Sequence, residues 1–126
     1  MSIIEKYSLE NKVIVVTGGT GILGNAFIDA IVEAGGTVGI LGRKKEVAEE
    51  RANAINAKGG KAIALVADVL DEAQLQACKQ QVLDAFGKID GLVNNAGVND
   101  SIGLESGNHK AFMDSIQKNL THYYLM

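Results

Sequence analysis

The sequence predicts an α/β fold: a parallel sheet with helices packed on both faces. Three observations predict it. Short β-branched runs alternate with segments of helical period along the whole chain. Glycines close most of the helical segments. A glycine-rich stretch joins the first apolar run directly to the first helical one.

The β-branched runs are Val13–Thr17, Thr37–Leu41, Lys61–Val66 and Ile89–Asn94. Each is short, apolar and bounded by Gly or polar residues, as a strand buried on both faces should be. Between the first two, Leu23, Phe27, Ile28, Ile31 and Val32 form an apolar helical stripe that Gly35-Gly36 ends. Val47, Arg51/Ala52 and Ile55 mark a second, thinner stripe, closed by Gly59-Gly60. Leu75, Cys78, Val82 and Phe86 mark a third, closed by Gly87, and Phe112, Ile116, Leu120 and Tyr123 a fourth, after a polar loop. The order is therefore β-α-β-α-β-α-β-loop-α. Right-handed crossovers restrict the topology. The expected strand order is 3-2-1-4, the N-terminal part of a Rossmann-type doubly wound sheet. The 126 residues suffice for one domain, and residues 1–126 read as one.

Composition narrows the function. Hydrophobic residues make up 47% and charged residues 21%, an ordinary globular balance. Net charge is −3 and the 12 Lys/Arg are dispersed, so no basic patch suggests nucleic acid. No apolar run approaches the roughly 20 residues that span a bilayer, and Met1 to Lys12 lacks a signal-peptide core. The one cysteine, Cys78, has no partner for a disulfide or a zinc site, which fits a reducing cytoplasm. No metal is expected.

The chemistry starts at Gly18-Gly19-Thr20-Gly21-Ile22-Leu23-Gly24. Gly19, Gly21 and Gly24 match G-x-G-x-x-G, set after a strand and opening a helix. Glycines there permit a tight turn and close approach to a pyrophosphate, and the helix N-terminus supplies free N–H groups. A Gly-rich turn without a ligand is the competing reading of the bare pattern. A P-loop fails, because Asn25-Ala26 stand where Lys and Ser/Thr are needed. The second strand then ends in Leu41-Gly42-Arg43-Lys44-Lys45. An NAD site usually carries Asp or Glu there for the ribose 2′-OH. Arg43 instead can pair with a 2′-phosphate, so NADP(H) is the preferred cofactor and NAD(H) the second choice. A solvated helix start is the other reading of Arg43-Lys44-Lys45.

Two further segments make the pattern specific. Ala67-Asp68-Val69 follows the third strand, and Asn94-Asn95-Ala96-Gly97 ends the fourth. With Thr17-Gly18 and the glycine loop, they resemble the short-chain dehydrogenase/reductase family, from about Leu9 to Met126. The resemblance implies roles by position. Asp68 would hydrogen-bond the adenine amino group, with the Val69 backbone beside it. Asn95, Ala96 and Gly97 would line the cofactor. Asn119, 25 residues past Asn94, matches the family's catalytic Asn, whose backbone carbonyl holds a proton-relay water. A turn or helix-start role for Asp68, and a solvent-facing or helix-kink role for Asn119, remain open. His109 and His122 have no motif partner and read as surface or packing residues. The loop TGGTGILG departs from the single-domain pattern TGxxxGxG, since Ile22 stands at the middle Gly. Its TGxxGxxG spacing is that of the extended branch, whereas Asn-Asn-Ala-Gly points to the single-domain branch.

The resemblance also implies the reaction: hydride transfer between the nicotinamide and a carbonyl or alcohol carbon, with a Tyr as general acid/base. The first half of the chain is similar to D-mannonate oxidoreductase-type members and the second to L-fucose dehydrogenase-type members, so a sugar or sugar acid is the expected substrate. Asn99, Asp100, Ser101 and Glu105, in the loop from Val98 to Lys110, could meet its hydroxyls, or could form an ordinary polar loop. The family's Ser and Tyr-x-x-x-Lys lie beyond the fourth helix and are absent from these residues. The chain thus reads as truncated at its C-terminus, inactive alone and prone to aggregate through an exposed fourth strand. The complete protein is expected to be a homo-oligomer. A non-catalytic dinucleotide sensor is the alternative function.

Overall fold

The computed structural model describes residues 2–97 and 107–126. Four strands, β1 (Val13–Thr17), β2 (Thr37–Gly42), β3 (Lys61–Val66) and β4 (Gly91–Val93), form one parallel sheet in the order β3-β2-β1-β4. The register runs Val13 beside Thr37 and Thr37 beside Lys61, with Ile14 beside Gly91 on the other side. The helices are α1 (Ile3–Lys6), α2 (Ile22–Glu33), α3 (Lys45–Ala57), α4 (Glu72–Phe86), α5 (His109–Ile116) and α6 (His122–Leu125). A π-helical turn, Gln117–Thr121, links the last two.

The fold class and strand order are as the alternation of periods predicts. Two buried clusters flank the sheet. On one face Val16, Val38 and Ile40 meet Ile28 and Ile31 of α2 and Ala48, Ala52 and Ile55 of α3. On the other Val13, Val15, Leu41 and Leu65 meet Leu75, Cys78 and Val82 of α4, with Leu125 and Met126 packed alongside. The turns after α2 and α3 carry positive-φ glycines, Gly35 and Gly59, and Gly87 caps α4 in the left-handed region.

Several expectations need correction. Leu23 and Phe27 of the first stripe are 65% and 41% exposed; the buried face of α2 is Gly24, Ile28 and Ile31. The close approach of α2 to the glycine turn puts Gly24, not Leu23, against the protein. Val47 is exposed as well, and Ala48 takes its place under α3. Strands β3 and β4 are not buried on both faces. They are the outer strands among those described, so Val66 and Leu92 are exposed while β2 is buried throughout. The fourth stripe is largely on the surface: Phe112 and Leu120 are 63% and 62% exposed, and α5 contributes no buried residue. Helix α1 has no counterpart in the sequence reading. A reciprocal Ser2–Glu5 capping box holds its one turn together.

Asp90 clips β4 to the sheet. Its carboxylate accepts the Val13 N–H at 2.7 Å, and its own N–H donates to the Val13 carbonyl at 2.8 Å. The Val13 hydrogen bond, then the Lys88 ion pair at 3.0 Å, hold this carboxyl below the usual range. No helix among the described residues is long and apolar enough to cross a membrane.

Candidate functional site

A cleft of about 830 Å3 opens at the C-terminal ends of the strands. In open α/β sheets this is the crevice where ligands bind. Its floor is the turn from β1 into α2. Gly18 sits there at φ +65°, and a methyl group on it would lie 3.0 Å from the Ala96 Cα. Gly24 packs over this turn so closely that a methyl group would run into the Gly18 carbonyl oxygen. Gly21 is the N-cap of α2 and offers no side-chain cap, and the first turn has no acidic residue. The first-turn N–H groups therefore lack an intrahelical partner, and the positive end of the helix meets no carboxylate of its own. Such a turn is built to receive an anion.

Thr17 ties the floor to the neighbouring wall. Its fully buried hydroxyl accepts the N–H groups of Asn95 and Ala96, both at 3.0 Å, and donates to the Val93 carbonyl at 3.4 Å. The Asn95 amide donates to the Gly18 carbonyl at 3.4 Å. The segment after β4 is thus held open along the glycine turn.

At the end of β2, Gly42 makes room for Thr20; a methyl group on it would lie 2.9 Å from the Thr20 Cγ2. Arg43 follows at the rim, exposed and without an ion pair to any described residue. Lys44 is the N-cap of α3 and makes no side-chain cap, so two cations stand at a helix N-terminus without a side-chain cap. At the end of β3, the Asp68 carboxylate accepts the Leu70 N–H at 2.9 Å, and the Asp68 N–H donates to the Gln74 side chain at 2.8 Å. Asp68 thus makes an Asx turn leading into α4 and lines the cleft as well.

Ten of the residues chosen from sequence line this one cleft: Gly18, Thr20, Gly21, Ile22, Arg43, Asp68, Val69, Asn95, Ala96 and Gly97. Gly19 and Gly24 shape it from behind, Gly19 against the Ile40 and Ile28 side chains. Asn119 lies in the π-helical turn and also stands behind the wall. Its amide donates to the Ser115 carbonyl at 3.0 Å, and its Oδ1 would be 3.0 Å from a methyl group on Gly97. Asn99, Asp100, Ser101 and Glu105 lie outside the described residues.

Sequence reasoning missed the far wall. Ala111, Asp114, Ser115 and Lys118 close the cleft from α5 and the π turn. Their spacing of i, i+3, i+4, i+7 is one helical face, a signal hidden by the apolar stripe beside it. Lys110 pairs with Asp114 at 2.6 Å and lowers its carboxyl below the usual range. His122 is fully buried and stacked on Tyr123 at 4.4 Å, with neither ring nitrogen bonded among the described residues, so it packs rather than reaching the cleft. Among the described residues, no cluster of His, Cys, Asp and Glu could hold a metal ion.

Known proteins share this arrangement. Residues 12–126 match the family model for short chain dehydrogenase. The uncharacterized oxidoreductase UxuB of Bacillus subtilis (strain 168) is 36% identical over 114 residues, which cover 85% of this chain and 41% of that protein. A 3-ketoacyl-ACP reductase from Sinorhizobium meliloti 1021 superposes with a TM-score of 0.82 at 36% identity, over 90% of this chain and 45% of the other. A gluconate 5-dehydrogenase from Burkholderia cenocepacia J2315, solved with NADP and tartrate, superposes with a TM-score of 0.88 at 26% identity, over 98% and 48%. The chain spans less than half the length of each. With the cleft, the strand order and the family match in agreement, this chain belongs to the short-chain dehydrogenase family.

Proposed function

We propose that residues 1–126 form the dinucleotide-binding part of an NAD(P)(H)-dependent oxidoreductase that acts on a carbonyl or alcohol of a sugar or sugar acid, with NADP(H) preferred. The observation that carries this reading is the convergence of four separate chain segments on one cleft: the glycine turn, Gly42-Arg43, Asp68-Val69 and Asn95–Gly97. A cleft of about 830 Å3 falls within the range of small-molecule sites. The groups present fit a dinucleotide. The open N-terminus of α2 takes the pyrophosphate, and Gly24 and Gly18 keep the backbone close enough for that contact. Arg43, at the rim and without an ion pair among the described residues, takes the 2′-phosphate. Asp68 and Val69 border the adenine, and Asn95, Ala96 and Gly97 flank the path toward the nicotinamide.

When bound, the nicotinamide supplies or accepts the hydride. Asn119 acts from behind Gly97. Its side chain is tied to the Ser115 carbonyl at 3.0 Å, which steadies the π turn whose backbone carbonyl would hold a relay water. π-Helical turns of this kind recur at functional sites. A sugar acid is supported by the likeness to the gluconate 5-dehydrogenase and by the resemblance to sugar-type members. The exposed apolar residues Phe112, Met113, Leu120 and Tyr124 support a homo-oligomer in the complete protein. The single buried cysteine supports a cytoplasmic location.

The test is a titration of the purified chain with NADPH and NADH, read by nucleotide fluorescence. Saturable binding, tighter for NADPH, is expected. Binding of neither nucleotide by folded chain would overturn the reading, and tighter binding of NADH would overturn the cofactor preference.

A further inference from the structure

We infer that Lys118 is a second cationic contact for the dinucleotide and serves its pyrophosphate from the wall opposite the glycine turn. This rests on the cofactor reading given above. Lys118 lines the cleft from the π-helical turn, on the same face as Ala111, Asp114 and Ser115. It makes no ion pair with a described residue; the acid one turn before it, Asp114, is paired with Lys110 at 2.6 Å and feels the Lys118 charge only as a weaker, longer-range attraction. Lys118 is thus an exposed cation on a long, flexible stem at the edge of a cleft whose floor is already suited to an anion.

A chain of contacts decides which anion it meets. Lys118 adjoins Asn119, whose Oδ1 lies 3.0 Å from the methyl position of Gly97. Ala96, next to Gly97, lies 3.0 Å from the methyl position of Gly18. The π turn that carries Lys118 is thus two contacts away from the glycine turn, the place assigned above to the pyrophosphate. Arg43 sits at the end of β2, on the other side of β1 from the segment that follows β4. The two cations divide the ligand's charge: Arg43 serves the phosphate found only in NADP(H), and Lys118 the pyrophosphate common to both nucleotides.

The experiment compares the full chain with its Lys118→Met and Lys118→Arg variants, using two probes. ADP-ribose carries the pyrophosphate and no 2′-phosphate. Adenosine 2′-monophosphate carries the 2′-phosphate and nothing at the 5′ position. Calorimetry should show Lys118→Met weakening ADP-ribose about tenfold, the loss of one charge-assisted contact, with the 2′-monophosphate changed far less. Lys118→Arg should retain most of the affinity. Far-UV circular dichroism checks that each variant folds. Unchanged ADP-ribose binding by folded Lys118→Met would overturn the inference, as would a loss confined to the 2′-monophosphate. If the unaltered chain binds neither probe nor either nucleotide, it is the cofactor reading that fails.

Discussion

The Thr17 hydroxyl accepts the Asn95 N–H at 3.0 Å, joining two cleft segments that are 78 residues apart in the chain. The same oxygen takes the Ala96 N–H. One fully buried side chain thus satisfies two backbone donors at the point where β4 leaves the sheet. Thr17→Val keeps the shape and removes the acceptor. Denaturant unfolding should show a loss of about 2 kcal/mol, since a buried donor without a partner costs 1–3 kcal/mol. Thr17→Ser should recover most of it.

Gly24 and Gly21 share a motif but face different constraints. A methyl group on Gly24 collides with the Gly18 carbonyl oxygen, whereas one on Gly21 meets that atom at an ordinary 3.4 Å. Gly24→Ala should lower stability by about 1–3 kcal/mol, the usual range for overpacking, and weaken NADPH binding. Gly21→Ala should unfold at nearly the unaltered midpoint. Equal thermal melts for the two variants would contradict the contact.

Arg43 should carry the nucleotide preference. Arg43→Met should cost about tenfold in NADPH affinity, one charge-assisted hydrogen bond, while NADH binding stays close to its original value. Fluorescence titration with both nucleotides reads the difference directly. A parallel loss of both affinities would move Arg43 away from the 2′-phosphate.

Asp90 sets an acid limit on the sheet. Its carboxyl is held below the usual range in the folded chain by the Val13 N–H and then by Lys88. A depressed folded value gives stability that is present above the unfolded value, about 3.9, and is lost as pH falls through the folded value. The difference in unfolding midpoint between the unaltered chain and Asp90→Asn should therefore be full near neutral pH. It should shrink as pH drops below about 4. A difference independent of pH would show that the ionised carboxylate contributes nothing.

Cys78 should be inert. It is buried against β3, its Sγ lies 3.6 Å from the Val66 carbonyl, and burial pushes its thiol above the usual range. A thiol-reactive chromophore should label the folded chain slowly and the denatured chain at once. Fast labelling under native conditions would mean that α4 opens readily.

Much of this fold is legible in the sequence because its signals are local. Each strand from Val13 to Asn94 is an apolar run, and glycines mark the turns after α2, α3 and α4. The G-x-G-x-x-G stretch also lies within seven residues, so the cleft floor could be read directly. Burial was less legible. Leu23 and Phe27 have the right period for a core, yet Gly24 faces the protein, because the close approach that a glycine permits decides which face of α2 turns inward.

By itself, then, the sequence determined the alternation of the four strands with the main helices, and its motifs pointed to the family and so to the strand order, since periodicity and motif spacing are properties of neighbouring residues. Tertiary structure alone decided how the cleft closes. The joining of Thr17 to Asn95, the clip of Asp90 on Val13 and the far wall of Ala111, Asp114, Ser115 and Lys118 all link segments far apart in the chain or faces that only packing selects. Their geometry exists only once the parallel sheet has brought the C-terminal ends of β1 and β4 side by side.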